Sequence, residues 1–324
     1  MDHNRIFAEF EGKDNLPLSE LCLHLLKEQK KSWPALEQAY QALSEVRTRS
    51  ISCGNYEVGL QFNPARAVSS GAAVDEESIR NRPCFLCSEN LPPEQRGILY
   101  RQRYLILCNP APIFDSHFTV ASICHQAQEI ASSLSRLLQM AADLAPHYTV
   151  FYNGPTCGAS APDHLHFQAI PANILPLELS FINHFHLINN ASIQFYQAVN
   201  IDRCVVLLKG SNKDCIQEKF NRLIEAAQKI ISVSGEPMIN VLCSYTENSW
   251  RLLIFFRSQH RPDAFFAAGE KRIFISPGTI DMAGIIITPM MGDFQRLDAA
   301  QIRSIYHEVS LPEETIDLII AEMH

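Results

Sequence analysis

One order of elements runs twice along the 324 residues: apolar strand, helix, strand pair. In the first half the apolar run "YLILCNPAPIF" at 104–114 stops at a proline-rich turn, and "HFTVAS" at 117–122 follows as a short strand. Ile130, Leu134, Leu137, Leu138 and Ala141 share one helical face, predicting a helix over 126–143. Strands at 148–154 and 164–170 close that half. The second half repeats the scheme with a strand at 204–210, a helix at 213–233 and a strand pair at 238–258 turning at Glu247 and Asn248. A strand at 284–289 and a helical tail over 298–321 complete it. Such a chain buries its apolar faces by packing helices on mostly antiparallel sheets. The expected class is α+β, with two related antiparallel-sheet halves and packed helices.

The rest of the chain frames these halves. Residues 18–46 carry helical spacing interrupted by Pro34, so two helices meet near Ser32 and Trp33. A strand at 56–64 ends at Pro64, and 66–83 reads as a polar connector. The expected divisions are a helical segment at 1–50, a catalytic domain with a metal site at 51–175, and a second related domain at 176–324. Apolar residues make up 47% and charged residues 19%, enough material for a core. The net charge of −8 argues against broad binding to nucleic acid, which needs a concentrated basic face. The opening residues lack a leader's basic segment and apolar run, and nothing is apolar enough for a membrane span. Ten scattered cysteines read as reduced thiols. The expected location is cytoplasmic, with no membrane partner.

The chemistry concentrates in "NGPTCGASAPDHLHFQ" at 153–168. His164, His166 and Gln168 alternate in a strand, so their side chains share one face at intervals of about 7 Å. A row of that kind can lie along a phosphate chain. The turn before it, with Asn153, Gly154, Gly158 and Ser160, is built of small residues whose amides and hydroxyl can cradle an anion. An imidazole beside such a cradle is placed to attack phosphorus. A bare H-x-H is as readily a pair of satisfied core histidines; the small-residue turn favours the functional reading. Upstream, Cys84 and Cys87 form a C-x-x-C that needs two further ligands to close a tetrahedral site. Among His117, His125, His147 and His164, the strand-end positions His117 and His164 complete the expected structural Cys2His2 zinc site with Cys84 and Cys87.

These residues carry a resemblance. The pattern Asn-x-Gly, Gly-x-Ser-x-Pro and His-x-His-x-Gln at 153–168 resembles the galactose-1-phosphate uridylyltransferase branch of the histidine triad (HIT-like) superfamily. "HLHFQA" and "QFNPAR" at 61–66 are similar to GDP-hexose phosphorylases, and "NVLCSYTENSWRLLIFFRS" with "AGIIIT" to the C-terminal part of ATP adenylyltransferases, the diadenosine tetraphosphate phosphorylases. The resemblance implies a HIT-like fold and a nucleotidyltransferase or phosphorylase. It would move a nucleoside monophosphate from a nucleotide sugar or dinucleoside polyphosphate to phosphate or a sugar phosphate. It makes His166 the nucleophile, Gln168 the group that binds the phosphoryl oxygens and Ser160 a phosphate ligand. Asn63 and Arg66 join the turn residues as substrate contacts, His164 matches a zinc ligand, and a homodimer is implied.

Two other readings stand beside it: a zinc-dependent hydrolase with His164 and His166 as metal ligands, and a non-catalytic nucleotide-binding protein. In the first, Asp163 is the adjacent carboxylate and Gln168 has no role; the intact pair of His166 and Gln168 speaks against the second. Weaker features are the second H-x-H, His184 and His186, read as surface or core, and Arg251, Arg257 and Arg261, which could neutralise phosphate.

Overall fold

A computed structural model describes residues 3–67, 71 and 76–323. Its main sheet has eleven strands in the order β1-β4-β5-β6-β8-β7-β12-β13-β11-β10-β9. The first half supplies β4 (Gly97–Tyr100), β5 (Tyr104–Cys108), β6 (Phe118–Ser122), β7 (Tyr148–Asn153) and β8 (His166–Pro171). The second supplies β9 (Phe185–Asn190), β10 (Gln194–Ala198), β11 (Val205–Gly210), β12 (Ile239–Thr246) and β13 (Ser249–Phe256). Read inward from each edge, the orders 4-5-6-8-7 and 9-10-11-13-12 are the same. The two halves are therefore related five-stranded units that meet where β7 pairs antiparallel with β12. The expected α+β class with two related halves is what the chain adopts. One departure is that β1 (Ile6–Phe10) extends the sheet by pairing parallel with β4.

The strand period of two divides the core. On one face Phe118, Val120, Val150, Tyr152, Leu165 and Phe167 pack with the helices Leu18–Ser32, Leu134–Leu144, Lys213–Ile231 and Glu313–Glu322. On the other, Phe151, Ile170, Leu242, Leu253 and Phe255 pack with a small second sheet and the Ala299–Val309 helix. That second sheet joins β2 (Arg47–Ser52), β3 (Glu57–Phe62) and β14 (Ile285–Thr288), with β14 parallel to β3. Residues from the two ends of the chain thus roof one face together.

Three expectations change. The helix expected over 126–143 begins only at Leu134. Gln126 and Gln128 are drawn away to the start of β8: Leu165 N donates to the Gln126 carbonyl at 2.7 Å, and Gln128 Oε1 accepts from His166 N at 2.8 Å. Second, the tail is two helices split at Pro312, facing opposite sides of the sheet. Third, in the connector at 66–83 the segment Glu76–Arg80 is a short helix, while 68–70 and 72–75 lie outside the described residues. The hairpin turn falls where expected, with Glu247 and Asn248 both at positive φ, 51° and 57°. No helix among the described residues is long and apolar enough to cross a membrane.

Candidate active site

A cavity of about 740 Å³ opens on the face of β8 that carries His166 and Gln168. Its walls include Arg66, Arg82, Asn153, Gly158, Ser160 and Asp281. His166 is buried, and its Nδ1 lies 2.8 Å from the carbonyl of His164 two residues back. A carbonyl only accepts, so Nδ1 carries the proton and the Nε2 lone pair is the reactive one. Burial pushes the imidazole's pKa down to about 4, so it is neutral and nucleophilic near neutrality.

Gln168 is fixed by a residue assigned differently from sequence. His117 Nε2 donates to Gln168 Oε1 at 2.8 Å, which leaves the amide NH2 as the group free to bind phosphoryl oxygen. His117 is fully buried and held neutral, its pKa lowered to about 3 by burial and by Arg66. The metal assignment of His117 is thereby corrected. Strands β6 and β8 are antiparallel with Ala121 opposite His166, so the starts of the two strands lie at opposite ends. His117 stands six residues from the position facing His164, about 20 Å along the strand.

His125, just past the end of β6, takes its place. Ligand atoms of Cys84, Cys87, His125 and His164 all lie within 4.8 Å of one another. Cys84 Sγ is 3.2 Å from His164 Nδ1, and Cys87 Sγ is 3.3 Å from His125 Nδ1. A tetrahedral ion with sulfur and nitrogen ligands sets such atoms about 3.3–3.8 Å apart. His164 Nε2 donates to the Ser122 carbonyl at 2.8 Å, which turns Nδ1 toward the sulfurs. Asp163 stands behind His125 at 4.0 Å and accepts from Arg82 at 3.2 Å. Burial and the neighbouring Cys84 push the Cys87 thiol up to about 12, a penalty that a bound cation reverses. The four residues can hold a metal ion.

The turn upstream is held from the second half. Asn153 Oδ1 accepts from Asn240 Nδ2 at 3.0 Å and from Thr279 N and Oγ1, each at 2.8 Å. Gly158 sits at φ +117°, and a Cβ there would come 3.1 Å from the Gly278 Cα, so only glycine fits. Gly154 and Asn63 stand behind the cavity rather than on its wall. Gly154 allows the close approach of the Ile239 carbonyl, and Asn63 Nδ2 donates to the Pro112 carbonyl at 3.2 Å. Arg66, lowered to about 10 by burial, lies near Asp281, which burial raises to about 6.

Other candidates lie elsewhere. Arg257 is fully buried and binds Asn240 and the carbonyls of Pro277 and Val309, a structural clamp. Arg251 lies by the small pocket of Glu178, away from His166. His184 is buried while His186 is exposed, and neither joins the metal cluster. Sequence reasoning missed Gln128, Asn240, His260, Ser276 and Thr279, polar residues without a motif, together with His125 as a ligand.

Comparison with known proteins places this geometry. A family model described as a domain of unknown function, DUF4922, matches residues 25–171, the segment that holds His166 and the cluster of Cys84, Cys87, His125 and His164. In architecture the chain is similar to the yeast Ap4A phosphorylase Apa2. Its crystal structure with Ap4A aligns with a TM-score of 0.59 at 16% identity, covering 88% of this chain and 98% of that one. The structure with AMP gives 0.56 at 17% identity, covering 89% and 97%. The likeness establishes the HIT-like fold. No curated protein matches the chain.

Proposed function

We propose that the chain is a nucleotidyl-transferring phosphorylase working through a covalent intermediate on His166. The observation that carries this reading is the hydrogen bond from His166 Nδ1 to the His164 carbonyl, which presents Nε2 to the cavity beside the Gln168 amide. In the first half-reaction the Nε2 lone pair forms a bond to the α-phosphorus of the nucleotide. The bond from phosphorus to the bridging oxygen breaks, and that oxygen leaves with its electron pair as a phosphate anion. The Nδ1 proton stays on the ring, and its bond to the His164 carbonyl stabilises the cation formed. In the second half-reaction an oxygen of the acceptor phosphate bonds to phosphorus, and the N–P electrons return to the imidazole.

Gln168 is suited to this role because an amide hydrogen-bonds the phosphoryl oxygens without donating a proton, so the intermediate awaits its acceptor. The donor is a dinucleoside polyphosphate or nucleotide sugar, and the acceptor phosphate or a sugar phosphate. The likeness to Apa2, solved with Ap4A and AMP, supports a nucleotide in this cavity. Zinc is the ion that the donor set of Cys84, Cys87, His125 and His164 fits. Its part is to tie the β6 and β8 ends together and fix the residue whose carbonyl orients His166. The donors are tested with phosphate as acceptor. The expected result is parallel-line steady-state kinetics for at least one of them. Intersecting lines for every active donor, or no activity with any, would refute the reading.

A further inference from the structure

Gln128 belongs to no motif and has no part in the chemistry above, yet its buried side chain stands against the backbone of His166. It makes three hydrogen bonds to two strands. Oε1 accepts from His166 N at 2.8 Å, and Nε2 donates to the Asn153 carbonyl at 2.9 Å and to the His166 carbonyl at 3.1 Å.

The pairing of β7 with β8 explains the arrangement. It runs from Tyr148 opposite Pro171 to Phe151 opposite Gln168 and stops there. Continued by two residues, the register would set Asn153 opposite His166, where an antiparallel ladder lets an amide donate directly to the facing carbonyl. Here the link from His166 N to the Asn153 carbonyl is opened, and a side-chain amide stands inside it. Oε1 on one side and Nε2 on the other reproduce the polarity of a peptide group, so both backbone groups stay bonded while the strand ends part. The parting falls where β7 leaves for the turn of Gly158 and Ser160 and where β8 presents His166. Asn153, Gly158, Ser160 and His166 all line the cavity, and Gln128 stands behind them.

The inserted amide is itself fixed. Gln128 N donates to the Pro162 carbonyl at 3.3 Å, and Leu165 N donates to the Gln126 carbonyl at 2.7 Å. Ile130 N donates to Glu236 of the second half at 2.6 Å. Residues 126–133 leave the helix that their apolar spacing favours, which is what brings this amide to β8.

We infer that Gln128 is a positioning residue for attack on phosphorus: its inserted amide sets the separation between the His166 imidazole and the small-residue turn beside it. The inference rests on the reading of His166 as nucleophile. Closing the gap would carry the turn toward the imidazole by the width of an amide, and a misplacement of about 1 Å is enough to cost about 100-fold in rate.

The enzyme is mixed without acceptor with saturating diadenosine tetraphosphate or a nucleoside diphosphate glucose, and the label on residues 164–171 is timed by rapid quench. In Gln128→Ala the labelling rate at saturating donor should fall about 100-fold. The donor concentration for half-maximal rate should change less than about threefold, because the cavity wall is kept. Gln128→Glu separates positioning from simple loss of structure. A protonated carboxyl accepts from His166 N and donates to the Asn153 carbonyl as the amide does, whereas a carboxylate only accepts and repels that carbonyl. Measured against wild type at the same pH, labelling of Gln128→Glu should therefore rise about tenfold or more between about pH 8 and pH 5.5. The neighbouring Glu129, Asp163, His164, His166 and Glu236 are common to both proteins and cancel in that ratio. Wild-type labelling rates in both variants overturn the role and leave the nucleophile standing. A slow Gln128→Glu whose ratio is flat with pH also overturns it, since a structural lesion has no such rescue. A loss confined to the half-maximal donor concentration does the same, because it makes Gln128 a binding residue. If wild type takes no label from either donor, the nucleophile reading itself fails and the positioning role falls with it.

Discussion

The two halves share a strand order and differ in what one strand carries. On β8, alternate positions facing the roof are His166 and Gln168; on β13 the same face presents Leu253 and Phe255, both buried in the apolar core. In one half this strand face lines the cavity, and in the other it packs the core. Yet the packing half is not a bystander, because its Asn240 and Thr279 hold Asn153, and its 260–281 segment closes the cavity. The seam where β7 pairs with β12 puts the second half within reach of the first half's cavity.

The sharpest break of the comparison is between equivalent strands. His166→Asn should lower turnover by about 10⁴-fold or more with little change in melting, as removal of a covalent nucleophile does. Leu253→Ala on β13 should cost about 2–5 kcal/mol of stability from the cavity it leaves, with the chemistry intact, read by denaturant unfolding and kcat. Equal losses of activity in the two variants would erase the distinction.

Among the described residues, the cluster that can hold a metal ion also lies in the first half. Cys84→Ser or His125→Asn should release the ion, found by elemental analysis at about one per chain in wild type, and destabilise the fold by several kcal/mol. His117→Phe should keep the full metal content and lower kcat about 10–100-fold, because the Gln168 amide loses its fixed orientation. Loss of metal in His117→Phe would restore His117 as a ligand.

The smallest effect concerns a contact across the halves. Glu236 accepts from Tyr152 OH and Ile130 N, each at 2.6 Å, and burial raises its pKa to about 7. Between about pH 4.5 and 7 the native state keeps a proton that the unfolded chain releases, so stability falls as pH rises through that window. The fall from this group is roughly 3 kcal/mol, and Glu236→Gln should flatten the curve by that amount. An unchanged curve would show that Glu236 ionises normally.

Much of this was legible in the sequence and some was not, for physical reasons. The alternation of His166 and Gln168 reads as a shared face because strand geometry is local, while His164, expected on the same strand, lies in a bend before β8 and turns to the cysteines; the hairpin at Glu247 and Asn248 reads from its turn residues. The choice between His117 and His125 depends on the pairing of β6 with β8, a long-range register with no local signal. The start of the helix at Leu134 was hidden because Gln128 serves the backbone of a strand more than 30 residues away. The wall of His260 and Ser276 reaches the site only through the seam between halves, about 100 residues from His166 in sequence.

The central claim is tested most directly by the mass of the quenched enzyme. After brief incubation with donor and no acceptor, the peptide carrying residues 164–171 should gain one nucleoside monophosphate, acid-labile and stable to base, and lose it when acceptor is added. Turnover without that adduct, or an adduct on a peptide of the second half, would contradict the account.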